Sequence, residues 1–155
     1  MKNYLKMLVV FVFTFVFLTP VYVFADDNRI EINTVELTSN MGLPTYGGEV
    51  KRVYEYNTVV GEPAYMTPHM GSWYKRNGNN WKRYDEAIFR EGTYYFSNQI
   101  RIDDASGLTH KLGKSTTLKV DDALWTLSNQ VDVYDTYSMA YYNSPEYVVE
   151  KNNNL

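Results

Sequence analysis

The sequence predicts an all-β fold of antiparallel strands, and two observations lead to this prediction. Strand-like segments recur roughly every ten residues after the N-terminus, with turn residues between them. No window of about eleven residues or more shows the 3.6-residue period of an amphipathic helix. Together these patterns are typical of a β-sandwich or barrel. The chain contains no cysteine, so burial and hydrogen bonds must hold the fold together without disulfides.

The N-terminal segment has the pattern of a secretory signal peptide, which we predict to span residues 1–25. Two lysines precede an apolar block at residues 7–18, and acidic charge first appears at Asp26. We expect cleavage after Ala25, which gives a secreted or envelope-associated protein without membrane contact. The alternative is that the apolar segment is retained as an anchor, since about 20 apolar residues span a bilayer.

Length and charge limit what the remaining chain can be. Residues 26–150 suffice for one domain with its own core, and residues 151–155 form a polar tail. Cleavage removes two basic residues and leaves thirteen against eighteen acidic ones, a net charge of −5. Nucleic acids bind preferentially to basic surfaces. Because the predicted mature chain is acidic, we expect no nucleic-acid partner.

The first half of the domain contains two predicted strands. In residues 30–37 the alternation of apolar and polar residues slips once, which predicts one bulged strand or two short ones. Residues 50–56 read as a strand with Val53, and with it Tyr54, turned inward. Residues 57–71 are rich in glycine and proline and predict an irregular connection with room for a short edge strand.

Residues 72–102 carry the clearest pattern in the chain. The Asn-Gly-Asn-Asn sequence at residues 77–80 predicts a tight hairpin turn between strands at 72–76 and 81–84. The next strand alternates regularly from Tyr94. Its predicted inward residues are Tyr94, Phe96, Ile100 and Ile102, and its outward ones are Tyr95, Ser97, Gln99 and Arg101.

The last third predicts further short strands and turns. Residues 103–107 and the pair Asp121-Asp122 are turn sequences, because aspartate and glycine favour turns. We expect strands near residues 109–112, 116–120, 124–125, 131–133, 137–141 and 147–150. Trp73 and Trp125 are assigned to the core.

Several short motifs together resemble the immunoglobulin-like modules of secreted and cell-surface bacterial proteins. These motifs are Trp73, Phe89-x-x-Gly92-x-Tyr94-x-Phe96, Leu118-x-Val120-Asp121-Asp122 before Trp125, and the final Ser-Pro-Glu-Tyr-Val-Val at 144–149. The Gly-x-Tyr segment is similar to a tyrosine corner, whose phenol bonds to an upstream backbone group. The chain departs from the pattern by lacking a cysteine pair and by having Arg90 where an acidic residue is usual. The resemblance implies a sandwich, an interaction role and no catalytic residues.

Four aromatic residues form the candidate ligand-binding surface. They are Tyr74, Trp81, Tyr84 and Tyr95, which lie on or beside the predicted hairpin. An outward strip of such rings can stack on sugars or anchor a protein partner. The simpler interpretation is that cross-strand aromatic pairs only stabilise an exposed sheet face.

The sequence offers no catalytic constellation. Its two histidines, His69 and His110, lie 41 positions apart and neither adjoins a recognisable nucleophile. We therefore expect a protein that is not an enzyme.

Two groups of residues have the chemistry of metal ligands, but neither is predicted to be a metal site. Met66, His69 and Met70 are soft ligands that suit copper, but a loop with apolar methionines explains them as well. The aspartate pairs at 103–104 and 121–122 suit calcium, yet such pairs are more often turn formers. We expect no cofactor.

These patterns predict an exported, non-catalytic binding or structural module that recognises an envelope protein or polysaccharide through an aromatic sheet face and the end loops. One alternative is a carbohydrate-binding module, which requires Trp81 and a tyrosine to be exposed and coplanar. Another is an accessory subunit that pairs through a free sheet edge, at residues 50–56 or the terminal strand. The oligomeric state is left open.

Overall fold

A computed structural model describes residues 27–60, 65–66, 71–102 and 104–151. The predicted signal peptide lies outside this part of the chain, as does most of the predicted polar tail. Within the described residues, no helix is long and apolar enough to cross a membrane.

The described chain is mostly β, as the sequence predicts. Its strands are β1 (Ile30–Ser39), β2 (Tyr56–Val60), β3 (Tyr65–Met66), β4 (Ser72–Asn77), β5 (Asn80–Arg83), β6 (Gly92–Ile102), β7 (His110–Val120), β8 (Ala123–Leu127), β9 (Asp132–Val133), β10 (Ser138–Asn143) and β11 (Tyr147–Val149). One short helix, α1 (Asp104–Thr109), connects β6 to β7.

The strands form one open sheet in the order β2-β1-β7-β8-β10-β6-β4-β5, with β3 and β11 also paired to β6 and β9 to β10. The prediction of a purely antiparallel sheet is wrong, because β1 and β7 run parallel, with Ile30 opposite His110 and Leu37 opposite Val120. The other described pairings are antiparallel. Parallel neighbours need a long connection, and here most of the domain lies between the two strands.

The irregular alternation in the first strand coincides with a register shift in its pairing with β7, and β1 continues through it as one strand. The shift lies between Ile32, which pairs with Leu112, and Thr34, which pairs with Thr117, so the additional residues belong to β7. Ile32, Val35 and Leu37 are all buried. The Thr116 hydroxyl donates a hydrogen bond to the Ile32 carbonyl at 2.6 Å, which satisfies this backbone group next to the register shift.

Aromatic rings dominate the core, and Trp73 lies among them. Its ring is edge-on to Phe89 at 4.9 Å and tilted against Phe96 at 5.1 Å. Its indole nitrogen donates to the Lys51 carbonyl at 2.8 Å. Trp73 and Trp125 are both buried, which confirms their assignment to the core.

Strand β6 runs through the middle of this core. Its predicted inward residues are all fully buried, and the inward amide of Asn98 accepts a hydrogen bond from the Gln99 backbone at 2.8 Å. The Tyr94 hydroxyl donates to the Arg90 carbonyl at 2.7 Å, the local bond expected of a tyrosine corner.

The segment at residues 50–56 differs from its prediction. The strand begins only at Tyr56, and Val53 is 52% exposed whereas Tyr54 is buried. The backbone bonds of this segment go to other loops, with Val50 N–H donating to the Ala87 carbonyl and Glu55 N–H to the Asn40 side chain. Residues 50–55 therefore form no sheet edge, whereas Tyr56 begins β2, which is the first strand in the sheet order.

Two predictions in the second half also need correction. The turn expected at 103–107 is helix α1, and the two strands expected at 109–112 and 116–120 are the single strand β7. The predicted turn at Asp121-Asp122 is confirmed, since both residues have positive φ, 49° and 65°. The Asp121 carboxylate accepts hydrogen bonds from the backbone N–H and hydroxyl of Ser39 and so joins this turn to the end of β1.

Candidate functional site

The candidate site is the hairpin of β4 and β5 together with the neighbouring half of β6. Gly78 and Asn79 connect the two hairpin strands, and the φ of 61° at Gly78 suits a tight turn. Tyr74 lies directly opposite Tyr95 on β6. Because side chains alternate along a strand, these tyrosines face away from the buried Trp73 and Phe96.

Three of the four predicted aromatic residues come together on this outward face. We call Tyr74, Trp81 and Tyr95 the outer aromatic cluster. Tyr74 and Tyr95 stack with ring centroids 5.0 Å apart and planes 11° apart. Trp81 meets Tyr95 edge-on, at 4.6 Å and 72°. All three side chains are half-buried, and partial burial, with a smaller effect of neighbouring Tyr74, raises the pKa of the Tyr95 phenol.

Arg76 extends the outer aromatic cluster. Its guanidinium lies 4.9 Å from the centre of the Trp81 ring, a cation–π contact. One of its terminal nitrogens donates to both carboxylate oxygens of Glu146, at 2.7 and 2.8 Å. The hairpin is thereby tied to the loop before β11.

The expectation that Tyr84 faces outward is wrong. It is 5% exposed, and its ring stacks on Phe89. Its hydroxyl donates to the Ile88 carbonyl at 2.7 Å, and burial raises the pKa of this phenol. Trp81 and Tyr84 are an odd number of positions apart, so a continuous strand places them on opposite faces. That spacing in the sequence was the signal available for a correct assignment.

The sequence interpretation missed a cationic groove at the same hairpin. The groove has a volume of about 620 Å³, and its lining includes Lys75, Arg76, Lys82 and Arg83. Lys75 lies directly opposite Lys82 across the two strands. The available signal was a hairpin sequence with four basic residues and no acidic one.

A second exposed aromatic group lies beside the C-terminal end of β6. Tyr134 and Tyr137 stack at 4.4 Å, and the Arg101 guanidinium lies 4.2 Å from the Tyr137 ring centre. Tyr134 is 44% exposed. This group gives a natural control surface for experiments on the hairpin.

The remaining candidate groups give no site in the described residues. The proposed copper ligands His69 and Met70 lie outside them, and the Met66 side chain is not described. Nδ1 of His110 lies 2.8 Å from the Thr109 hydroxyl. Across residues 27–60, 65–66, 71–102 and 104–151, no three histidine, aspartate or glutamate side chains are grouped as metal ligands.

Comparison of the chain with known protein families, with curated proteins and with solved structures finds no match. Function must therefore be inferred from the geometry of the hairpin itself.

Proposed function

We propose that this chain is an exported, non-catalytic binding module of immunoglobulin-like sandwich type, and that it recognises a protein partner at the cell envelope through the outer aromatic cluster and Arg76. The signal-peptide pattern at residues 1–25 supports export. The hairpin geometry supports the choice of surface and of ligand class.

The strand pairing, together with the shared core, supports the sandwich assignment. Strands β2, β1, β7 and β8 form one group, and β10, β6, β4 and β5 form another. Only a two-residue pairing, Tyr142 with Leu127 and Asn143 with Thr126, joins β8 to β10. Buried residues of both groups belong to one core cluster. Two sheet halves packed around a shared core are typical of this architecture.

The relative orientation of the rings favours a protein ligand over a carbohydrate ligand. A sugar-stacking platform was expected to have Trp81 coplanar with a tyrosine, whereas the planes of Trp81 and Tyr95 differ by 72°. Arg76 also lies over the Trp81 ring. Tryptophan, tyrosine and arginine grouped in this way are the residues most enriched at energetic centres of protein–protein interfaces.

The hydroxyls of the outer tyrosines support the same conclusion. Within the described part of the chain, neither the Tyr74 nor the Tyr95 hydroxyl donates or accepts a hydrogen bond. An amphipathic ring with an open polar end suits an interface that is apolar at its centre and wet at its rim.

Capture of binding partners from the producing cells tests this proposal. Immobilised chain lacking residues 1–25 is incubated with secreted and envelope proteins, and bound proteins are quantified by mass spectrometry. Trp81→Ala should reduce capture of the specific partner at least tenfold, because truncation of an interface centre costs roughly 2 kcal/mol or more. Tyr134→Ala, which removes an exposed ring of the second aromatic group, should bind as the wild type does.

Equal capture by wild type and Trp81→Ala would show that the cluster only stabilises the sheet face. Binding to insoluble envelope polysaccharide that is lost in Trp81→Ala, without any captured protein, would favour the carbohydrate-binding alternative instead.

A further inference from the structure

The hairpin concentrates positive charge in a chain that is acidic as a whole. The chain has a net charge of −3, yet strands β4 and β5 contain four basic residues and no acidic one. Lys75 and Lys82 stand directly opposite each other, an arrangement that repulsion makes unfavourable. Neither ammonium makes an ion pair within the described part of the chain.

The two arginines of the groove differ from the lysines in this respect. Arg76 is bound to Glu146, and the Arg83 side chain contacts Asp85 at 3.1 Å. The uncompensated positive charge of the groove therefore belongs to the lysine pair.

Lys75 is held in place by its surroundings. Its ammonium lies 5.4 Å from the centre of the Tyr94 ring and 5.6 Å from that of Tyr84. Gly92, with φ of 150°, leaves room for the lysine stem, since a Cβ there would lie 2.5 Å from the lysine Cε. The ammonium is thus positioned at the groove before any ligand arrives.

Strand β5 ends the sheet and pairs only with β4 among the described strands. Its outer backbone N–H and C=O groups are available to another strand. Along this edge, Lys82 faces the same side as Lys75, whereas Trp81 and Arg83 face the other side. A segment lying along the edge meets the lysine pair on one face and the indole on the other.

We propose that the free edge of β5 binds an extended segment of the protein partner in which acidic and apolar residues alternate. The acidic side chains contact Lys75 and Lys82, and the apolar ones contact Trp81. Backbone hydrogen bonds to the edge supply affinity, and the alternating side chains supply specificity. This inference rests on the proposed function and specifies the chemistry of the partner.

The surroundings of the lysine pair favour a peptide over other polyanions. Asp85 and Glu86 also line the groove, and Glu146 is bound to Arg76 beside it. A nucleic acid or a uniformly charged polysaccharide would meet these carboxylates along its length, and neither has the backbone amides that complete a β edge.

Fluorescence anisotropy with labelled synthetic peptides at low ionic strength tests the proposal. The probes are an alternating Glu-Val peptide, its Gln-Val counterpart, and an N-methylated Glu-Val peptide that cannot donate hydrogen bonds to the edge. Wild type should bind the Glu-Val peptide about tenfold more tightly than the Gln-Val peptide, since two charge contacts at an open site each contribute a few-fold. N-methylation should abolish binding.

Matched variants locate the effect. Lys75→Met/Lys82→Gln keeps the aliphatic stem of Lys75 against the tyrosine rings and should lose the preference for glutamate. Lys114→Gln removes one charge from an exposed position of β7 and should bind as the wild type does. Circular dichroism confirms that each variant is folded.

Three results would overturn the proposal. The first is equal binding of the N-methylated peptide. The second is equally tight binding of single-stranded DNA or alginate, which would indicate a general polyanion site. The third is unchanged peptide binding by Lys75→Met/Lys82→Gln together with self-association in light scattering, which would mean that the lysines only guard the edge against aggregation.

These outcomes are separable from failure of the proposed function. If Trp81→Ala abolishes partner capture while the peptides bind without selectivity, only the edge proposal fails. If Trp81→Ala captures the partner as the wild type does, the proposed function of the outer aromatic cluster is contradicted, whatever the peptides show.

Discussion

Two aromatic clusters lie on opposite faces of β4 and β6. They differ in burial and in the hydrogen bonding of their polar groups. The inner aromatic cluster comprises Trp73, Phe89, Tyr94 and Phe96, all buried. The outer aromatic cluster alternates with it along β4 and β6 and is half-buried. The comparison shows that the face of the strand, rather than the kind of ring, decides whether an aromatic side chain is fully buried or half-buried.

The polar ends of the rings show the same difference. In the inner cluster the Trp73 indole and the Tyr94 hydroxyl bond to backbone carbonyls at 2.8 and 2.7 Å. Buried polar groups must find such partners. The outer hydroxyls of Tyr74 and Tyr95 remain open to solvent or to a ligand.

The largest expected effect is truncation of the inner cluster. Trp73→Ala should lower the free energy of unfolding by about 3–5 kcal/mol, because it leaves a large cavity and leaves the Lys51 carbonyl with the Tyr54 hydroxyl as its remaining donor. Trp81→Ala should cost less than about 1 kcal/mol. Urea unfolding monitored by circular dichroism measures both. Similar losses for the two variants would contradict the division between the clusters.

An intermediate effect is expected at alkaline pH. Burial raises the pKa of the Tyr142 phenol to about 12, whereas an unfolded tyrosine titrates near 10. The unfolded chain therefore loses this proton first, so the contribution to stability is complete below about pH 10 and is lost as the pH rises toward 12. The expected loss is roughly 2 kcal/mol, read from urea unfolding at stepped pH.

Tyr142→Phe is the control for this alkaline effect. The substitution removes the titrating hydroxyl and its hydrogen bond to the Thr116 carbonyl at 3.0 Å. The variant should therefore have a lower free energy of unfolding at neutral pH, and this free energy should fall less steeply with pH above pH 10. An unchanged slope would place the alkaline loss on other groups.

The smallest effect concerns coupling within the outer cluster. A double-mutant cycle of Tyr74→Leu and Tyr95→Leu should give a coupling of about 0.5–1.5 kcal/mol, as stacked aromatic pairs do. The pair Ser72 and Ser97, opposite each other on the same strands, supplies the control cycle and should show less coupling. Absence of coupling between the tyrosines would mean that the stack is not part of the stabilising sheet face.

Local patterns predicted the parts of this fold that local chemistry determines. The Asn-Gly hairpin, the alternating faces of β6 and the change of phase within β1 each depend on residues close together in sequence. Trp73 and Tyr74 were assigned to opposite faces correctly for the same reason. Tyr84 was misassigned because it was grouped by proximity to Trp81 instead of by strand period.

Long-range pairing could not be predicted in this way. Nothing in residues 30–39 indicates that β7 would be a parallel partner, since side-chain alternation looks alike for either strand direction. The cationic groove, in contrast, follows from the predicted hairpin, which already pairs Lys75 with Lys82, but the sequence interpretation weighed only the aromatic residues of that hairpin. Gln99 is also buried on the outward face, where its amide contacts the Met139 sulfur at 3.1 Å.

The parallel pairing of β1 with β7 sets an order of events during synthesis. Ile30 and its partner His110 are 80 positions apart. At roughly 5–20 residues per second, β1 leaves the ribosome several seconds before β7 exists. During that interval β2 can cover one edge of β1, but the other edge stays open. The β1–β7 pairing therefore cannot form before most of the domain has been synthesised, and a chain without β7 cannot join β1 to the rest of the sheet.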